Sequence, residues 1–181
     1  MLTLWLPIVL STIAIFFCSF LSWMVFQLHR HDWRKMEHED AFMERVSELD
    51  MAEGSYMFPG VDDPKEMQQE AYLAKYKAGP RGIMTILPAA NMGRNLGLTL
   101  LFFFVCCCTF AYLADFALKP GSEPGADFLT VFRFVATVAL FTFGAAVLQH
   151  SIWFRMRVVG HLIESIAYSL IAGAIFAALW P

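Results

Sequence analysis

Four stretches of this chain are apolar for long enough to cross a lipid bilayer, and they limit every other choice of architecture. The first, Leu2 to Leu28, contains no charged residue. The others run from about Leu96 to Leu118, Phe128 to Phe154 and Val158 to Trp180. At 1.5 Å per residue, each covers a hydrocarbon thickness of about 30 Å. The chain is 58% apolar and only 16% charged, and the apolar excess is gathered into these blocks. Blocks of this kind signal membrane spans, not one large soluble core. The expected fold is an all-α membrane protein with four transmembrane helices, residues 1–28, 96–118, 128–154 and 158–180. Residues 29–95 form an insert between the first two helices. The first block has no leading Lys or Arg and is about twice the length of a signal-peptide core, so it is expected to stay as an anchor.

Orientation follows from the basic residues. Nine Lys or Arg residues lie in the insert, and Arg155 and Arg157 occupy the turn between the third and fourth blocks. Only Lys119 and Arg133 belong to the other side. Positive charge collects in the cytoplasm, so the insert is expected there with both termini periplasmic. Trp5, Trp23, Trp33, Trp153 and Trp180 fall at or near block ends, as interfacial aromatics do. The net charge of −3, with no Lys/Arg run longer than two, excludes nucleic acid as a partner.

The insert reads as a small α+β lobe. "MEHEDAFMERVSELDMA" puts Phe42, Val46 and Leu49 on one helical stripe with charges opposite. "SYMFPG" and "RGIMTILP" read as two short strands able to pair. Between them, Asp63 is an N-cap, Pro64 the first helical residue, and Gly79 the stop of one helix. About 65 residues with few large apolar groups make a marginal core, so the lobe is expected to lean on another surface.

No catalytic constellation is present. "HEDAF" at His38 begins like a zinc-protease helix but lacks the second histidine, and there is no phosphate loop, dinucleotide fingerprint or nucleophile elbow. His29, His31 and Asp32 are possible metal ligands at the membrane surface, but ordinary interfacial residues as well, and no metal site is assigned. Cys106, Cys107 and Cys108 point about 100° apart on a helix, so they fill space and cannot converge on one ion.

Several motifs resemble a family of uncharacterised small multi-pass bacterial inner-membrane proteins: "YMFPG", "KYKAGPRGIMTILP", "FLTVFRFVATVALF", "HSIW" and "IAYSLIAGAIFAALWP". The likeness covers most of residues 55–181. In that family an acidic residue precedes "SIW", where this chain has His150. The resemblance implies a bacterial inner membrane and brings no function with it.

The intramembrane polar groups fall at two levels. Asp115 and Arg133 lie about one turn inside adjoining ends of the second and third spans, and are expected to form a structural ion pair. On the opposite side are Gln149, His150, His161 and Glu164. Glu164 is expected to turn away from lipid and bond to His161, His150 or Gln149. His150, His161 and Glu164 are the candidate cofactor-binding or proton-relay residues, with haem or a quinone as the possible ligand and no cofactor fixed by the sequence. Ser165, Ser169, Gly173 and Ala177 recur every four residues and form a flat stripe for close helix packing, within the chain or against another subunit. The expected function is that of a non-catalytic accessory or scaffold subunit, with the lipid bilayer and other membrane subunits as partners. The alternative is a haem- or quinone-binding or proton-conducting protein.

Overall fold

The computed structural model describes residues 2–121 and 125–181. The chain divides into two compact units, one of Met1–Arg34 with Met92–Pro181 and one of Lys35–Asn91.

The first unit holds four helices long and apolar enough to cross a membrane. They are α1 (Trp5–Phe20, prolonged by a wider turn over Leu21–Val25), α4 (Met92–Leu118), α5 (Phe128–Trp153) and α6 (Val159–Ala178). These bounds follow the expected blocks, except that α4 begins four residues early and takes Gly93, Arg94 and Asn95 into its first turn. The 119–127 connection joins α4 to α5, and its residues 122–124 lie outside the described residues. Asp127 opens α5 by accepting the Thr130 backbone N–H at 2.8 Å.

Helix α6 is the centre of this unit. It is the least apolar of the four, with mean hydropathy 1.5 against 2.0–2.3, yet 44% of it is buried against 22–28% of the others. It packs mainly on α5 and also on α1, while α4 packs on α1 and α5. Its buried line is Glu164, Ser165, Tyr168, Ser169, Ala172, Gly173, Phe176 and Ala177. The buried stripe of α1 is also partly polar: Pro7, Ile8, Ser11, Thr12 and Ile15 are buried, and Thr12 returns its hydroxyl to the Ile8 carbonyl at 2.8 Å. Small and polar residues on buried helix faces let backbones approach, and in a bilayer such packing is what joins helices. Phe143 packs against the core. Its ring meets Phe103, Phe110 and Tyr168 at 6.0, 5.9 and 5.4 Å, edge to face in each case. Cys106 and Cys107 are buried as free thiols among these groups.

The second unit contains α2 (Glu39–Glu48), β1 (Gly54–Phe58), α3 (Glu70–Ala78) and β2 (Gly82–Ile86). The strands pair antiparallel with Tyr56 opposite Met84, and the Ser55 and Thr85 hydroxyls meet across them at 3.1 Å. The expected single helix from Asp63 to Gly79 is divided. Asp63 caps as predicted, but the turn that it starts is tight: Glu66 N–H donates to the Asp63 carbonyl and Gln69 N–H to that of Glu66. This three-residue winding runs out at the extended Gln69, and α3 begins afresh at Glu70. Gly79 stops α3 with φ +66°, a left-handed value that glycine adopts without cost.

No residue of this unit is buried. Phe42 and Leu49, expected on the apolar face of α2, are 42% and 68% exposed. The helix is amphipathic as predicted, but of its apolar stripe only Val46 is half-buried.

Candidate functional site

The site is built where α1 ends and α6 begins. Beyond Phe20 the winding of α1 loosens: Phe26 N–H donates to the Leu21 carbonyl, and Leu28 N–H to that of Ser22. Each bond spans more than the usual four residues, so the chain swings wide of the helix axis, as such bulges do. Gln27 then takes a left-handed conformation with φ +49°. Two further turns follow, closed by Arg30 N–H to Gln27 and Asp32 N–H to His29. The chain is thereby folded back on the bundle with His29 underneath. The His29 ring lies flat against Trp23, 4.1 Å between centroids and 17° between planes.

Helix α6 meets it with a glycine. A Cβ on Gly160 would stand 2.8 Å from His29 Cε1 and 3.0 Å from Nδ1, so any side chain there would evict the imidazole. The neighbouring His161 ring sits 4.5 Å from that of His29. Arg157 fastens the approach by donating to the His31 carbonyl at 3.0 Å.

His29 thus lies between two carboxylates. Its Nδ1 is 2.7 Å from Asp32 Oδ2, and its Nε2 is 3.2 Å from Glu164 Oε2. His161 Nε2 is 3.9 Å from the same Asp32 oxygen. His29 is 3% exposed and Glu164 8%. The Nε2–Oε2 contact is close enough for charge attraction but poorly aligned for a hydrogen bond. His29 Nε2 and Glu164 Oε1 are accordingly buried without a hydrogen-bond partner among the described residues. One turn deeper, the Tyr168 phenol faces both Glu164 and Ser19.

The expectation for Glu164 needs one correction. It is buried and turned inward, but its neighbour is His29 from the end of α1, not His161, His150 or Gln149. At i, i+3 the His161 side chain rises toward the start of α6, where it meets Asp32. Gln149 and His150 are exposed, and the His150 ring lies over Phe154 at 4.4 Å. His161 and Glu164 therefore share a site that His150 does not join. His31 is exposed and contributes its carbonyl alone.

Ser165, Ser169, Gly173 and Ala177 are all buried inside this unit. A Cβ on Gly173 would meet Ala136 Cβ at 2.9 Å and the Phe132 carbonyl at 3.1 Å, and Ser165 packs over Gly144. The stripe serves contact with α5. Asp115 is half-buried near the end of α4. Arg133 is exposed, bordering a shallow groove with Leu118, Thr130, Phe134 and Thr137. Asp127 is held below the usual carboxylate range, first by the Thr130 hydroxyl and backbone N–H and also by the Arg133 charge.

His29 and Asp32 stood apart from the His161 and Glu164 group in the sequence. A signal joining them was present: His-x-x-Asp closes the first span, and His-x-x-Glu opens the last. No protein-family profile, curated protein or solved structure matches this chain.

Proposed function

We propose that this chain is a non-catalytic multi-pass protein of a bacterial inner membrane, serving as an accessory or scaffold subunit of a larger membrane assembly. Its termini are periplasmic and residues 29–95 cytoplasmic. The observation that carries this role is the second unit, in which no residue is buried while Phe42, Leu49, Met57, Leu73, Ile83 and Leu87 are exposed. Ordering a residue's backbone costs about 1–2 kcal/mol, and apolar burial is the main term that offsets it. A unit whose apolar residues are at most half-buried is best stabilised by a surface from outside. The small-residue stripe no longer supports association, because α5 occupies it.

Two measurements test this. Proteolysis of residues 35–91 is expected to be slow in native membranes and fast in the chain purified alone. Equal rates, with a lone monomer recovered in several mild detergents, would overturn the subunit role. For orientation, a reporter active only in the periplasm is expected to work after Pro181 and to be silent at Gly60; the reverse would overturn the topology.

A cofactor-binding or proton-conducting role draws on one observation, the buried contact of His29 with Glu164 beside His161. Haem held by His150 and His161 loses support with His150 turned to Phe154, and a Soret band in the purified protein is its direct test.

A further inference from the structure

We infer that His29, Asp32 and His161 bind a divalent transition-metal ion, zinc in the first instance, with Glu164 as the outer carboxylate that orients His29. This rests on the geometry of the first unit and is independent of any subunit role.

The donor set favours such an ion. Two imidazoles and a carboxylate suit zinc and its first-row neighbours, whereas calcium and magnesium take oxygen ligands. One ligand atom from each of the three residues lies within 4.8 Å of the others. Bonds of about 2.1 Å in tetrahedral array would separate donors by roughly 3.4 Å. His161 Nε2 and Asp32 Oδ2, 3.9 Å apart, need only a small closure. His29 Nδ1 and the same oxygen are 2.7 Å apart, a hydrogen-bond distance, and must open somewhat. The proton shared there is what the ion would displace, since ligand nitrogens bind metal only when deprotonated.

The other face of His29 supplies the second half of the case. With Nδ1 given to the ion, the remaining proton resides on Nε2, 3.2 Å from Glu164 Oε2, and a small turn of the carboxylate would bring the two into line. A ligating histidine commonly gives its second N–H to a carboxylate in this manner. A hydrogen-bonded cluster alone would require only the His29–Asp32 contact. It leaves unexplained why His161 converges on the same oxygen and why His29 Nε2 stays unpaired in the interior beside a carboxylate. Trp23 and the bare Cα of Gly160 fix the His29 ring on either side. His161 is the most open of the three, so water can complete the coordination from its side.

The test uses the full-length chain without a polyhistidine tag, stripped with a chelator in detergent. Zinc is measured by equilibrium dialysis with elemental analysis, and Co²⁺ serves as a visible-spectrum probe of ligand number. The wild type is expected to bind one zinc per chain, and Asp32→Asn and His161→Ala to lose stoichiometric binding. Glu164→Gln is expected to weaken binding about 10–100-fold, with the Co²⁺ spectrum unchanged. His150→Ala is expected to bind as the wild type does. Asp32→Asn preserves side-chain shape, so its binding can be read alongside wild-type elution and circular dichroism even where His161→Ala misfolds. Failure of the wild type to reach one zinc per chain, or equal affinity in well-folded Asp32→Asn, overturns the site.

Discussion

His29 and Glu164 are 135 positions apart in the chain, and their side chains meet at 3.2 Å in the interior, between the end of α1 and the first turns of α6. In a bilayer, where lipid offers no hydrophobic drive for association, a contact of this kind joins helices by polar attraction. Glu164→Gln keeps shape and hydrogen-bonding capacity, and is expected to melt close to the wild type. Glu164→Leu strands the buried His29 and is expected to cost about 1–3 kcal/mol. Thermal unfolding in detergent compares the two; equal losses would show that the carboxylate's polarity is irrelevant to packing.

Gly160 controls the same contact through space. A methyl group there would stand 2.8 Å from His29 Cε1, and the ring is stacked on Trp23. Gly160→Ala is expected to destabilise by about 1–3 kcal/mol, the usual range for overpacking. The stacking of Trp23 on His29 gives a local readout, because displacement of the ring changes the indole environment. Unaltered Trp23 fluorescence in a variant lacking the other tryptophans would contradict this tight approach.

The spans were legible because membrane crossing demands long apolar runs, and α1, α4, α5 and α6 fall within a few residues of those runs. The strand pair and the Gly79 stop were legible from local turn chemistry. Less legible was what covers what. Phe42 and Leu49 have the period of a buried face, but periodicity cannot say whether a surface arrives to bury it. The site was half visible. His161 and Glu164 were recognised because ionisable groups inside a span are costly, whereas His29 and Asp32 follow a span and look like ordinary interfacial residues. The wide turn over Leu21–Val25 and the left-handed Gln27 return them to the bundle, and neither carries a sequence signal.

Asp127 gives a pH-dependent prediction outside the spans. Its carboxyl lies below the ordinary value of 3.8, chiefly through the Thr130 hydroxyl and backbone N–H. Because the folded-state value is the lower one, its contribution to stability is present above the unfolded-state value and is lost as pH falls through the folded one. Asp127→Asn retains a side-chain acceptor for the cap and cannot titrate. The stability difference between wild type and Asp127→Asn is therefore expected to be largest near neutrality and to shrink steadily below pH ~4. A difference that stays constant down to pH ~2 would remove the carboxylate from the cap's energetics.

Arg133 lies close enough to Asp127 to help hold its carboxyl down, and we propose that it also pairs with Asp115 at the end of α4. In that case Asp115→Asn or Arg133→Gln alone leaves one charge without its counterpart in poor solvent, and the double change leaves neither. The double variant is expected to cost less than the sum of the singles by about 0.5 kcal/mol or more, the range found for groups in contact. The cycle is best run at neutral pH, where Asp127 is ionised in every variant, so a shift in its titration cannot pass for coupling. Strict additivity would mean that Asp115 and Arg133 act separately, and that Arg133 serves the α5 cap alone.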